Sequence, residues 1–187
     1  MLIDHFDFAH PLLWVVPDLL SPEECRACID QASAGRWLTS TVNGLEGRYV
    51  NPRARDSSTG VIPDPAIAAT LWSRLQAHLP ARLSRRSLTS LREPLRCYRY
   101  VPGQRFGLHH DQSYGGKAGE ISLLTFMVYL NDDFEGGETE FPEQDQRIVP
   151  KTGLALLFQH MLLHQGCRVE SGTKYVLRSD ILYSDAA

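Results

Sequence analysis

The sequence predicts a mainly β domain of sandwich or barrel type, buttressed by helices that precede the strands. Three observations carry this. From Leu95 onward, short β-rich runs alternate with turn signals at Pro102-Gly103, Asn131-Asp132-Asp133, Glu135-Gly136-Gly137, Gly153 and Gly172. The run Ile121 to Leu130 is long, apolar and β-rich, as a central strand should be. Ahead of Leu95 the clearest periodicity is helical. At 187 residues, with 43% apolar and 22% charged side chains, the chain fits one globular domain with a sizeable core. It divides into a helical and irregular support region, 1–94, and a β core, 95–187.

Each element has a local reason. Ser21 with Glu24 three residues on forms a capping-box pattern, so a helix runs from about Pro22 to Ala34 with Cys25, Cys28, Ile29 and Ala32 as its apolar stripe. Trp37 to Val61 is polar and mixed and reads as an irregular loop or short hairpin. Asp64-Pro65 starts a second helix to about His78, with Ile67, Leu71 and Leu75 on one face and Pro80 beyond its end. Strands follow at Leu95 to Val101, Arg105 to His109, Ile121 to Leu130 and Leu154 to Phe158, then a short segment between Gly166 and Gly172, then Lys174 to Tyr183. No repeat, linker or low-complexity tract interrupts them.

Composition narrows the function classes. A net charge of −3 without a Lys/Arg run gives no footprint for nucleic acid. No apolar run approaches the roughly 20 residues that span a bilayer. The N-terminal MLIDHFDFAHPLLWVV lacks the positive n-region of a signal peptide, so a cytoplasmic location is expected. Cys25 and Cys28 form a CxxC inside the first helix, with no second CxxC to complete a zinc site, and read as buried thiols.

The chemistry concentrates in His109-His110-Asp111, His164 and Lys174. Side chains two apart on extended backbone point the same way, so His109 and Asp111 can grip one ion, with His164 as third ligand. Two imidazoles and one carboxylate on one face of a metal leave the other positions open, a set suited to non-haem Fe(II). Lys174, ten residues past His164, is a cation placed to hold a carboxylate. Strand, HxD, long strand, Gly-rich turn, strand, His, strand with a cation is the order of a double-stranded β-helix, or jelly roll.

The residues Tyr100–Phe106 ahead of the HxD, Val128–Asp132, Phe134–Phe141 and His164–Lys174 resemble the iron(II)- and 2-oxoglutarate-dependent dioxygenases, in the branch containing the prolyl 4-hydroxylase catalytic domains. The resemblance spans roughly the whole chain and is dense from Tyr100 to Tyr183. It implies Fe(II) on His109, Asp111 and His164, with 2-oxoglutarate as co-substrate, O2 as oxidant and ascorbate as accompanying reductant. It also implies that Lys174, with the hydroxyls of Tyr100 and Tyr129, holds the far carboxylate of 2-oxoglutarate. The implied reaction hydroxylates an unactivated C–H bond and releases succinate and CO2. The partner is then a peptide or a small molecule. Peptidyl proline carries the family's weight, while a free amino acid, another protein side chain, a small metabolite and the oligomeric state stay open. Members that halogenate lack the carboxylate ligand, so Asp111 argues for hydroxylation.

Several positions admit a second reading. His110 should point away from the metal by strand alternation. His160 competes with His164 as third ligand, and Arg178 competes with Lys174 for the carboxylate unless it pairs with Asp180 or a pocket acid. Tyr129 also fits as plain core. Gly136 and Gly137 read as turn residues with positive φ. Arg168 stands where the prolyl hydroxylase branch commonly has proline and brings a charge to the site mouth. Arg53, Arg55, Gln112 and Tyr114 sit on flanking loops, and the segments Asn43 to Gly60 and Gln112 to Glu120 are candidates to border a peptide groove. Two other function classes compete: a non-catalytic jelly-roll sensor or binding module that retains metal, and a cupin-type metalloenzyme that needs no co-substrate.

Overall fold

The computed structural model describes residues 6–44, 47–116 and 119–185. In chain order the elements are β1 (Leu13–Val16), α1 (Pro22–Ala34), β2 (Leu38–Thr39), β3 (Val42–Gly44), β4 (Gly47–Tyr49), β5 (Ser58–Ile62), α2 (Pro65–Leu75), β6 (Arg82–Leu83), β7 (Arg86–Leu91), β8 (Leu95–Tyr100) and β9 (Phe106–His109). They continue with β10 (Ile121–Tyr129), β11 (Glu135–Gly136), β12 (Thr139–Phe141), β13 (Gln146–Ile148), β14 (Ala155–Gln159), β15 (His164–Gly166), β16 (Val169–Ser171) and β17 (Lys174–Asp185). None of the helices is long and apolar enough to cross a membrane.

A large antiparallel sheet, ordered β1-β14-β10-β17-β8-β5-β2, faces a smaller one ordered β13-β12-β15-β9. The 12-residue β17 is the spine. One edge pairs with β10; the other pairs first with β8 and then with β7. Alternation along these strands sorts side chains between two layers. Leu124, Phe126 and Val128 of β10, Leu95 and Cys97 of β8, and Leu177 and Ile181 of β17 enter the core shared with both helices. The alternate residues turn to the space between the sheets, where Tyr129, Phe141, Leu156, Phe158, Leu162 and Val176 form a second core.

Helix α1 starts as its capping box requires: Ser21 accepts from the Glu24 amide, and Glu24 accepts from the Ser21 amide. Cys25 and Cys28 are fully buried free thiols on its sheet-facing side, among core residues that include Cys97. Burial pushes the Cys25 and Cys28 thiols up to about 11 and about 12. Helix α2 ends at Leu75 and tightens into a 3-10 turn over Gln76–His78. The region expected to be only helical and irregular also supplies β1, β2, β5 and β7 to the large sheet. Within the mixed stretch, β3 and β4 form the short hairpin, pairing Val42 with Tyr49.

Candidate metal centre and its cleft

His109 ends β9 and His164 begins β15, and the two are direct partners in the ladder between those strands. Cross-strand pairing therefore brings the imidazoles together, with ring centroids 4.1 Å apart. Asp111 lies just past β9, fixed by its amide donating to the His160 carbonyl. Its Oδ1 stands 3.6 Å from His109 Nε2 and its Oδ2 3.7 Å from His164 Nε2. One donor atom from each of the three side chains lies within 4.8 Å of the others. Ligands about 2.1 Å from a common ion at right angles sit about 3 Å apart, so small side-chain adjustments close the set on a metal.

The tautomers fit as well. His109 Nδ1 donates to the Gly107 carbonyl (2.8 Å) and His164 Nδ1 to the Leu162 carbonyl (2.9 Å), which leaves both Nε2 lone pairs facing Asp111. Burial brings the His164 imidazole down to about 4, so it is neutral and ready to ligate at ordinary pH. Asp111 is nearly buried. Its burial opposes ionisation, yet the Arg178 guanidinium and the two imidazoles hold the carboxyl well below the usual range. Arg178 Nη2 is 2.6 Å from Oδ2, and Thr125 Oγ1 donates to the same oxygen at 2.5 Å. Two imidazole Nε2 atoms and an ionised carboxylate converging on one face suit Fe(II).

His160 is not part of this set. Its Nδ1 bonds Thr125 Oγ1 (2.9 Å) and its Nε2 bonds Ser122 Oγ (3.0 Å), so both ring nitrogens are occupied by buried hydroxyls. His110 turns outward and bonds the Met161 carbonyl at 2.9 Å, as strand alternation requires.

From the triad a cleft runs between the sheets, walled by Phe106, Met127, Phe158 and Val176, to Lys174. Lys174 is 4% exposed. Its Nζ donates to the Gly137 carbonyl (2.5 Å) and lies 5.5 Å and 5.4 Å from the ring centroids of Tyr100 and Tyr129. No carboxylate among the described residues pairs with it. Burial accordingly pushes its amine down to about 8. Gly136 and Gly137 both have positive φ, and a Cβ on Gly137 would sit 3.0 Å from the Lys174 Cδ. The turn thus needs glycine both for its backbone and for room beside the lysine.

Tyr100 lines the cleft, and its hydroxyl accepts from Arg55 Nη2 at 3.3 Å. Tyr129 stands deeper: its hydroxyl donates to Thr139 Oγ1 (2.7 Å), and Thr139 is the residue that reaches the cleft. Arg178 is held at the metal end by Asp111 and lies 3.9 Å from Asp180. Arg55, expected on a solvated loop, is 5% exposed and stacks on Tyr98 and Phe106, with its guanidinium carbon 3.9 and 4.3 Å from their ring centroids. Gln112 borders the outer side of the triad. Tyr114 stacks under Arg92 (3.6 Å), and Arg53 is exposed. Arg168 does not line the cleft: its side chain turns back to the Gly103 carbonyl. Thr125 and Thr139 lacked any local sequence signal, because their roles arise from register between strands far apart in sequence.

Residues 95–179 match the family model described as the 2OG-Fe(II) oxygenase superfamily. A putative prolyl 4-hydroxylase of Acanthamoeba polyphaga mimivirus is 34% identical over 102 residues, 45% of this chain and 42% of that protein. Prolyl 4-hydroxylase 1 of Arabidopsis thaliana is 30% identical over 88% of this chain and 66% of its own length. The chain thus spans less than two thirds of the length of these curated relatives. Among solved structures, the viral collagen prolyl hydroxylase from Paramecium Bursaria Chlorella virus-1, in its 2OG complex, superposes with a TM-score of 0.71 at 24% identity, covering 93% of this chain and 97% of that one. The Trichoplax adhaerens prolyl hydroxylase, in complex with a hypoxia inducible factor oxygen degradation domain peptide fragment, gives 0.67 at 18% identity, covering 93% and 84%. The double-stranded β-helix fold follows from these superpositions, and the chain belongs to the 2OG-Fe(II) oxygenase superfamily, in its prolyl 4-hydroxylase-like branch.

Proposed function

We propose that the chain is an Fe(II)- and 2-oxoglutarate-dependent dioxygenase that hydroxylates an unactivated C–H bond. In the overall balance one O2 is consumed, its atoms ending in the new hydroxyl and in succinate, with CO2 as the third product. The observation that carries this reading is a His-Asp-His set opening, through one apolar cleft, onto a buried lysine that no carboxylate among the described residues pairs.

Iron bound there supplies open coordination positions and the electrons for oxygen activation. The protein supplies the rest. His109, Asp111 and His164 hold the ion. The Nδ1 bonds to Gly107 and Leu162 keep the rings in the ligating tautomer, while Arg178 and Thr125 fix the carboxylate. Lys174 takes the far carboxylate of 2-oxoglutarate, helped by the Thr139 hydroxyl that Tyr129 orients and by Tyr100. The apolar walls exclude water between those two ends. Peptidyl proline is the substrate to which the prolyl hydroxylase relatives point, and the outer cleft lined by Tyr49, Leu108 and Gln112 is where it would lie.

The test is succinate formation from 2-oxoglutarate with Fe(II), ascorbate and a panel of proline-containing peptides. His109→Ala, Asp111→Ala and His164→Ala should each fall to background while keeping the wild-type circular dichroism spectrum. A folded variant retaining full turnover would overturn the assignment of that ligand.

A further inference from the structure

The outer side of the metal centre carries a charge pattern that the overall composition does not foretell. The chain is net negative by 3. Yet the cleft bordered by Asp111 and Gln112 is walled by Arg48, Arg92, Arg96 and Arg178, against two carboxylates, Asp111 and Asp180. Both carboxylates are engaged. Asp180 is 2.7 Å from Arg92, and Asp111 is 2.6 Å from Arg178. Arg96 has no carboxylate partner among the described residues.

Its position is fixed by the fold. Arg96, Tyr98 and Tyr100 share the cleft-facing side of β8, because Leu95 and Cys97 are buried on the helix side. In the β8–β17 ladder Arg96 stands directly opposite Arg178. Like charges opposed across a ladder destabilise a sheet unless an anion lies between them. Asp111 answers Arg178, and among the described residues no carboxylate answers Arg96. Tyr98, two residues from Arg96 on the same face of β8, lies in the resulting field. Burial would raise its phenol, but Arg55, Arg178 and Arg96 together draw it down to about 8. Exposed apolar groups, Tyr49 (51%) and Leu108 (55%), line the adjoining rim and offer contact for an uncharged stem.

We infer that the substrate of this enzyme carries a carboxylate, and that Arg96 is the residue that receives it, beside the metal and on the opposite side from Lys174. This rests on the dioxygenase reading and adds the substrate's charge to it. A guanidinium receives a carboxylate through two parallel N–H bonds, and a cleft of one sign raises the local concentration of an anionic substrate. The carboxylate belongs either to a small acid or to an acidic side chain near the hydroxylated residue of a peptide.

The experiment uses matched probes that differ only in that charge: N-acetyl-L-proline against N-acetyl-L-prolinamide, and a proline peptide with flanking Glu against its Gln counterpart. Succinate formation is read with the iron-loaded wild type, Arg96→Gln and Arg96→Lys. In parallel, binding of each probe to the protein without iron is followed by ligand-observed NMR. The wild type should favour the acid of at least one pair by about tenfold or more, the factor that roughly 1.4 kcal/mol conveys. Arg96→Gln should bring the ratio close to one, and Arg96→Lys should recover part of it. The pair that shows the preference distinguishes a small acid from an acidic peptide. Equal response to acid and amide in both turnover and binding, or a preference that survives Arg96→Gln, would overturn the inference. Absence of any succinate with wild type would count against the dioxygenase reading instead, and the binding ratios would still decide the role of Arg96.

Discussion

Replacing Lys174 with Met should make the protein more stable and, at the same time, nearly unable to bind 2-oxoglutarate. Lys174 is 4% exposed, and among the described residues the Gly137 carbonyl receives its ammonium. Bringing that amine from its ordinary 10.5 to about 8 corresponds to about 3 kcal/mol of charge-burial cost. Losing the carbonyl bond returns about 1 kcal/mol, leaving a net gain of about 2 kcal/mol for the apolar variant. The sign with pH is fixed. Below about 8 both folded and unfolded chains hold the proton, and the full cost is present. Between about 8 and 10.5 the folded chain releases it first, so wild type gains on the variant as pH rises. Co-substrate affinity should move the other way. A carboxylate left in that pocket without its cation costs roughly 3–5 kcal/mol, or about two to four orders of magnitude in Kd. Denaturant melts at pH 7 and pH 10, with calorimetric titration of 2-oxoglutarate under nitrogen, measure both. A Kd within a few-fold of wild type, or a variant less stable at pH 7, would refute the reasoning and return the carboxylate to an arginine.

Thr125→Val removes the hydroxyl shared by Asp111 and His160 and should weaken Fe(II) binding about 10- to 100-fold in competition with a chromogenic chelator; unchanged affinity would mean Arg178 alone positions Asp111. His160→Leu takes one partner from each of two buried hydroxyls and should cost about 1–3 kcal/mol of stability, yet retain far more metal than His164→Leu, and equal metal loss would contradict the separate roles of the two histidines. Gly137→Ala forces a side chain onto positive φ against Lys174 and Phe134, so it should lower stability by about 1–3 kcal/mol and raise the 2-oxoglutarate requirement, as thermal melts and succinate assays would show.

The metal ligands were legible because their signal is local. His109 and Asp111 are two apart on extended chain, and His164 with Lys174 keeps a short fixed interval. The flanking roles were not, since they depend on pairing between distant strands. Thr125 meets Asp111 and His160 only after β10 takes its register, and Arg96 meets Arg178 only across β8 and β17. The missed strands have the same cause. Strand β1 pairs Leu13 with Phe158, a contact that nothing near Leu13 announces. Strand β5 contains Gly60, which reads locally as a turn. In the fold a Cβ there would press to 3.2 Å on the Ala32 carbonyl and 3.3 Å on the Trp37 ring, so glycine lets α1 approach the sheet. Arg55 looked solvated because charge in a loop usually is, and stacking on Tyr98 and Phe106 overrides that expectation.

The most direct test of the account is an anaerobic titration of the protein with Fe(II) and 2-oxoglutarate, watched for the weak visible charge-transfer band of the co-substrate on iron. The band should appear with wild type, vanish in Asp111→Ala, and require far more 2-oxoglutarate in Lys174→Met. A folded, iron-loaded protein that never develops the band would contradict the assignment of His109, Asp111, His164 and Lys174 to one co-substrate site.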